Sequence, residues 1–167
     1  TPNTKVSIDI QNDLTTLSPM QIDKDGDGDI DITLAPQLGG IVTPYPFNGF
    51  LQPINDTTYQ ADQKPSVFKA GSTIPVKFQL KKTDGTVIET NTLPVWLPPK
   101  IISSMNATVD EEAYSLPPST GTDFRWDTVD QQYIYNWNTK GFELGKEYKL
   151  SAQLDDGGTY SVVVGLR

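Results

Sequence analysis

Five aspartates on alternate positions, Asp23, Asp25, Asp27, Asp29 and Asp31, are the residues of this chain best suited to chemistry. They stand in the run Asp-Lys-Asp-Gly-Asp-Gly-Asp-Ile-Asp. All are hard oxygen donors, the kind that calcium takes and zinc does not favour. Asp23, Asp25 and Asp27 match the first, third and fifth positions of an EF-hand-type loop, and Gly28 the sixth, where the chain must turn sharply. The seventh position supplies a main-chain carbonyl, so Asp29 is expected to coordinate through its backbone. Ile30 can turn inward at the eighth, and Asp31 takes the ninth. The twelfth should be a bidentate glutamate but is Leu34. The loop is thus shortened, and Asp31 or a remote acid such as Glu111 or Glu112 must complete the shell.

Electrostatics argues for a cation here. Two carboxylates ~4 Å apart repel by roughly 1 kcal/mol in water and about 4 kcal/mol near a protein surface. Several such pairs would force the loop open unless a divalent ion neutralised them. The competing reading is a solvated Asp/Gly turn, since both residues are common in turns. The spacing favours Ca²⁺ as the cofactor, with all five aspartates as its site.

Other chemistry finds less support. The chain has no cysteine and no histidine. A disulfide framework, a thiolate nucleophile and the common zinc sites are therefore excluded, and so is the usual general base of neutral-pH catalysis. Glycosidases need two carboxylates about 5–10 Å apart, which Asp110, Glu111, Glu112, Asp123 and Asp127 could supply. An acid-rich chain always offers such pairs, so no enzyme is expected. Trp96 and Trp126, in loops, are the better candidates for stacking on a sugar. Tyr133, Tyr135 and Trp137 share one strand face and are expected in the core, because large aromatics dominate sandwich interiors. Asn55 and Asn106 head Asn-x-Thr sequons and are candidate glycan anchors on loops.

The elements that must position these residues are short strands. With 13 glycines and 13 prolines in 167 residues, turns are favoured over long helices. Val6, Ile8 and Ile10 alternate with polar residues, and Ile30, Ile32 and Leu34 do so beyond the acidic loop. Residues 1–34 therefore read as strand, calcium loop, strand, and Thr4–Gln11 has no partner at short range except Asp29–Leu34. The Pro-rich stretch after Ala35 is the expected boundary between a segment 1–41 and a domain 42–167. Period two returns at Ile74–Leu80, where Pro75 implies an edge or an unpaired strand start. Asp84-Gly85 signals a hairpin into Val87-Ile88. The last hairpin runs from Tyr148–Leu154 through Asp155–Gly158 to Tyr160–Leu166. Residues 91–125 carry five prolines and read as long irregular loops, with one short helical turn near Val109–Tyr114. An all-β, immunoglobulin-like β-sandwich is expected.

Several strings together resemble the PxKF domain family. They are Gly49-Phe50-Leu51, Lys69 to Leu80 with Pro75-Val76-Lys77-Phe78 at its centre, Tyr133 to Trp137, and Leu154-Asp155-Asp156-Gly157. The likeness covers about residues 46–167. It implies a small β domain, often C-terminal, in exported surface proteins of bacteria or archaea, and it carries no catalytic motif. Members often have a cysteine near the position of Glu147, which this chain lacks. Lys77 is read as a solvated strand lysine, with Val76 and Phe78 turned into the core.

Net charge is −8, from 13 basic and 21 acidic residues. No basic cluster suits nucleic acid or an anionic membrane, and no stretch approaches the ~18 apolar residues of a span. A low-affinity calcium loop points outside the cell, where calcium is abundant enough to fill it. Thr1 in place of Met suggests that a leader or upstream domains have been removed. The expected function is a calcium-stabilised extracellular structural or adhesive β domain of a surface protein or assembly. Its expected partners are copies of itself or neighbouring surface domains, met by strand pairing. The alternative is a carbohydrate-binding module, with a polysaccharide partner, appended to a secreted enzyme.

Overall fold

The computed structural model describes residues 44–167 together with the backbone of Met20–Ile22 and Ile32–Leu34. The chain divides into two compact units, Thr1–Val42 and Thr43–Arg167. Among the described residues there is no helix, and the expected turn at Val109–Tyr114 is not helical.

In the first unit β1 (Met20–Ile22) pairs antiparallel with β2 (Ile32–Leu34), Met20 opposite Leu34 and Ile22 opposite Ile32. The alternation at Ile32 and Leu34 does mark a strand. Its partner, however, is Met20–Ile22, a strand too short for alternation to reveal. Val6–Ile10 and the aspartates from Asp23 to Asp31 lie outside the described residues.

The second unit packs two sheets against each other. One has the order β3 (Phe47–Leu51), β5 (Thr73–Lys81), β9 (Gln132–Asn138), β8 (Arg125–Asp127), with β6 (Val87–Ile88) also on β5. The other has the order β4 (Val67–Phe68), β11 (Thr159–Leu166), β10 (Lys146–Gln153), β7 (Val95–Ser104). All pairs are antiparallel except β4 on β11. Val76, Phe78 and Leu80 of β5, Tyr133, Tyr135 and Trp137 of β9, and Leu150, Val162 and Val164 of the last hairpin are all buried in one cluster. Aromatic stacks cross between the sheets: Trp96 on Tyr135 at 4.5 Å and Phe47 on Tyr160 at 4.1 Å, both nearly parallel.

The Asp84-Gly85 turn forms as its residues demand. Gly85 takes φ +89°, Thr86 N–H donates to the Asp84 carboxylate at 2.8 Å, and Leu80 faces Ile88. Pro75 lies opposite Asn136 in the β5–β9 pair. Asn136 turns its N–H and C=O the other way, to Ser119, so this is a pair without ladder bonds. The N–H that Pro75 lacks would therefore face the side of β5 where β3, paired only with Lys77–Leu80, does not reach.

The expectation of loops across residues 91–125 needs correction. Val95–Ser104 is a ten-residue strand despite Pro98 and Pro99. It is an edge strand, so missing N–H groups leave no ladder bond unmade on its outer side. Leu97 pairs with Ser151 and Lys100 with Lys149, which sets both prolines opposite Leu150 in a bulge.

Candidate functional site

Two of the expected ligand residues are not where their neighbourhoods suggest. Trp96 is in β7, not a loop, and is 6% exposed, with Tyr135 stacked flat on its ring and Phe124 against its edge. Its face is unavailable to a sugar. Trp126 is in β8, half-buried, with its ring 4.7 Å from that of Tyr133. Asn55 is half-buried and accepts from Gln52 at 2.8 Å. Asn106 is exposed and accepts from Arg167 at 3.0 Å.

The acids that composition offered for catalysis are largely occupied. Asp110 accepts the Val67 N–H at 2.7 Å and Glu111 accepts the Ser66 hydroxyl at 2.7 Å, while both their N–H groups bond to the Val67 carbonyl. These residues cover the free edge of β4. Ser66 and Lys69 also form a Ser-x-x-Lys string. Ser66 is buried at a strand start and accepts from Asn55 N–H, whereas Lys69 is exposed. Extended backbone turns that spacing away from one site, so the pair is structural. Among the described residues no three acids converge as a metal centre. The aspartates from Asp23 to Asp31 fall outside that statement.

A cavity of note lies on the outward face of the five-stranded sheet, a region sequence reading did not single out. Pro75 and Lys77 of β5 and Gln132, Ile134 and Asn136 of β9 project there, alternating with the core residues. An outward face is normally wet, yet Ile134 is 5% exposed. Beside it runs the connection from β7 to β8. Tyr114 C=O accepts from Thr73 N–H at the open side of β5, and Ser119 bonds Asn136 on the far side of β9. Residues 114–119 must therefore cross both strands. Asn136 anchors the crossing, since its Nδ2 donates to the Pro117 carbonyl at 2.9 Å. Its Oδ1 is buried without a partner.

The cavity beside this crossing has a volume of about 620 Å³, and a second of about 490 Å³ adjoins it, sharing Leu116, Arg125 and Asn136. Lys77 and Arg125 stand in the larger one with Glu111, Glu112, Asp127 and Asp130. Burial, and then the charges of Glu112 and Glu111, push the Tyr114 phenol above its ordinary value, so it stays protonated. Its hydroxyl can both give and take a hydrogen bond. Lys77, expected to be solvated, is half-buried in this groove.

No family model, curated protein or solved structure matches the chain. No helix among the described residues is long and apolar enough to cross a membrane.

Proposed function

We propose that this chain is a calcium-stabilised extracellular structural or adhesive β domain, built into a surface protein or surface assembly and without catalytic activity. The observation that carries the reading is the pairing of Ile22 with Ile32. Residues directly opposite in an antiparallel pair have Cα atoms about 5 Å apart. The nine residues between them, five of them aspartates, join these two points. On this proposal a divalent cation relieves the repulsion among their carboxylates. Leu34, at the position of the usual closing glutamate, is paired with Met20, so the ladder takes over where a longer loop would place its last ligand. On this reading the metal is held by the side chains of Asp23, Asp25, Asp27 and Asp31 and the carbonyl of Asp29.

The strand orders support an immunoglobulin-like assignment. β3-β5-β9-β8 and β11-β10-β7 correspond to the ABED and GFC sheets of a constant-type domain, with β4 as an added edge on β11. Membership of the PxKF family is part of the proposal and rests on the strings quoted above. Extracellular placement follows from the weak affinity of a loop without its closing glutamate.

Calorimetric titration of the intact chain with Ca²⁺ tests the reading. One ion per chain is expected, and none for Asp27→Ala. An intact protein that takes up no calcium at millimolar concentration defeats the proposal. Sizing of the intact chain against a 42–167 fragment tests assembly through the first unit: a multimer that becomes monomeric on deletion supports it, and two monomers exclude it.

A further inference from the structure

We propose that Asn106 is an attachment site for an N-linked oligosaccharide, and that the fold closes the other sequon, at Asn55, to the same modification. The inference rests on the extracellular reading for its setting alone.

The sequons Asn55-Asp56-Thr57 and Asn106-Ala107-Thr108 are alike in pattern and differ in what holds them. A transferase draws the acceptor tripeptide into its own cleft, gripping the Thr hydroxyl while the Asn amide reacts. The segment must therefore be exposed and free of bonds that tie it to the fold. Around Asn55 those bonds are many. Its side chain accepts from Gln52, and its N–H donates to the Ser66 hydroxyl at 2.9 Å. Asp56 is 1% exposed, and its carboxylate accepts from the N–H groups of Phe50 and Thr58. The Asp56 carbonyl accepts from Tyr59 and Gln60 as well. Lifting this tripeptide out breaks the whole turn.

Asn106 stands in the opposite condition. Residues 106–110 are all exposed and have no regular structure. The chain is pinned on either side, by Met105 N–H on the Gly145 carbonyl and Asp110 N–H on the Val67 carbonyl. Among the described residues, no N–H of residues 106–109 is bonded between these pins, and neither is the Thr108 hydroxyl. Arg167 alone reaches the stretch, donating to Asn106 Oδ1 at 3.0 Å and to the Ala107 carbonyl at 3.1 Å. That leaves Asn106 Nδ2, the atom that reacts, unengaged.

The co-substrate is an oligosaccharide linked to a lipid diphosphate. Asn106 Nδ2 attacks the anomeric carbon of the first sugar, and the N–C bond forms as the C–O bond to the diphosphate breaks. The lipid diphosphate leaves with the bonding pair, and Nδ2 gives up one of its two protons. The product keeps its amide carbonyl, so Oδ1 still accepts from Arg167.

The test incubates the intact folded chain with such a donor, a divalent cation and a single-subunit oligosaccharyltransferase whose activity is established on a standard Asn-x-Thr peptide. The enzyme must need no acidic residue two positions upstream, because Ser104 stands there. Mass spectrometry of the chain and its peptides reads the result. One glycan at Asn106 is expected, with transfer to Asn55 at least about tenfold slower. Asn106→Gln and Thr108→Ala should each abolish transfer at that site with melting unchanged, since both side chains are exposed. The proposal is overturned if the folded chain takes no glycan where the peptide does, if Asn55 is modified as fast as Asn106, or if Asn106→Gln gains as much glycan as the parent. Transfer to purified protein does not depend on where a cell places the chain. Failure therefore removes this site alone and leaves the calcium reading to its own titration.

Discussion

Single residues differ sharply in what they hold. Phe78 has no exposed surface and lies within about 6 Å of the rings of Phe47, Phe50, Phe124 and Tyr133. Truncation there leaves a cavity that four aromatic neighbours cannot collapse to fill. Phe78→Ala is expected to cost about 3–5 kcal/mol in urea unfolding, and a loss below about 1 kcal/mol would show that the site repacks. Asp56 is 1% exposed, and its carboxylate accepts the N–H groups of Phe50 at 2.8 Å and Thr58 at 3.1 Å. Asp56→Ala strands both donors, so a loss of about 1–3 kcal/mol is expected. Asp56→Asn keeps an acceptor and should lose less; equal losses would mean that the negative charge itself is what matters. Gly49 holds φ +98°, and a Cβ there would meet Tyr59 at 2.9 Å, which accounts for glycine in the Gly49-Phe50-Leu51 string.

At the scale of elements, the β1–β2 pair and the edge strand β7 call for different tests. β1 and β2 make only three residue pairs, and a two-stranded ribbon alone is marginal in water. If calcium closes the loop between them, ion binding and pairing are linked. Added EDTA should lower the melting temperature, by an amount set by how far calcium exceeds its Kd: about 2.7 kcal/mol at a hundredfold excess. An unchanged melt would assign the aspartates to an ordinary turn. β7 poses the opposite problem, an exposed edge to be protected. Among the described residues its outer side is paired only near its start, where Trp96 N–H reaches Thr122 and Phe124 N–H reaches Pro94. Beyond come Pro98 and Pro99, then Ile101 and Ile102, each about half exposed. Prolines and bulges blunt such edges against pairing with other chains. The double variant Pro98→Ala, Pro99→Ala is expected to fold and to self-associate more than the parent in light scattering. Equal monodispersity would show that the prolines do not guard the edge.

The whole molecule has an alkaline weakness. Burial is the first cause that raises the phenols of Tyr45, Tyr114, Tyr135, Tyr148 and Tyr160 above their ordinary 10.0. Between the unfolded value and the higher folded one, the folded chain keeps protons that the unfolded chain has lost. Stability is then whole below about pH 10 and falls as pH rises beyond it. Denaturation midpoints should hold level from about pH 7 to 9.5 and drop steeply above about 10.5. A flat profile through that range would mean that these phenols ionise in place without strain on the fold.

Strand-forming segments with clean alternation were legible in the residues alone. Ile74–Leu80, Tyr133–Trp137 and the Tyr148–Leu166 hairpin each declare which face is apolar, because period two is a local property of extended backbone. The core composed of Phe78, Tyr135, Trp137, Leu150 and Val162 follows directly, and Asp84-Gly85 declares its own turn. The partner of Ile32–Leu34 was not legible, since three residues at Met20–Ile22 carry too little pattern. What only the tertiary structure decided depends on neighbours distant in sequence. Pro98 and Pro99 sit in a strand because β7 lies at an edge and bulges opposite Leu150. Trp96 is in the core because Tyr135, from the other sheet, stacks on it. The groove exists because residues 114–119 cross β5 and β9, anchored by Thr73 and Asn136. No local pattern specifies a crossing, because the hydrogen bonds that hold it join groups the sequence keeps tens of residues apart.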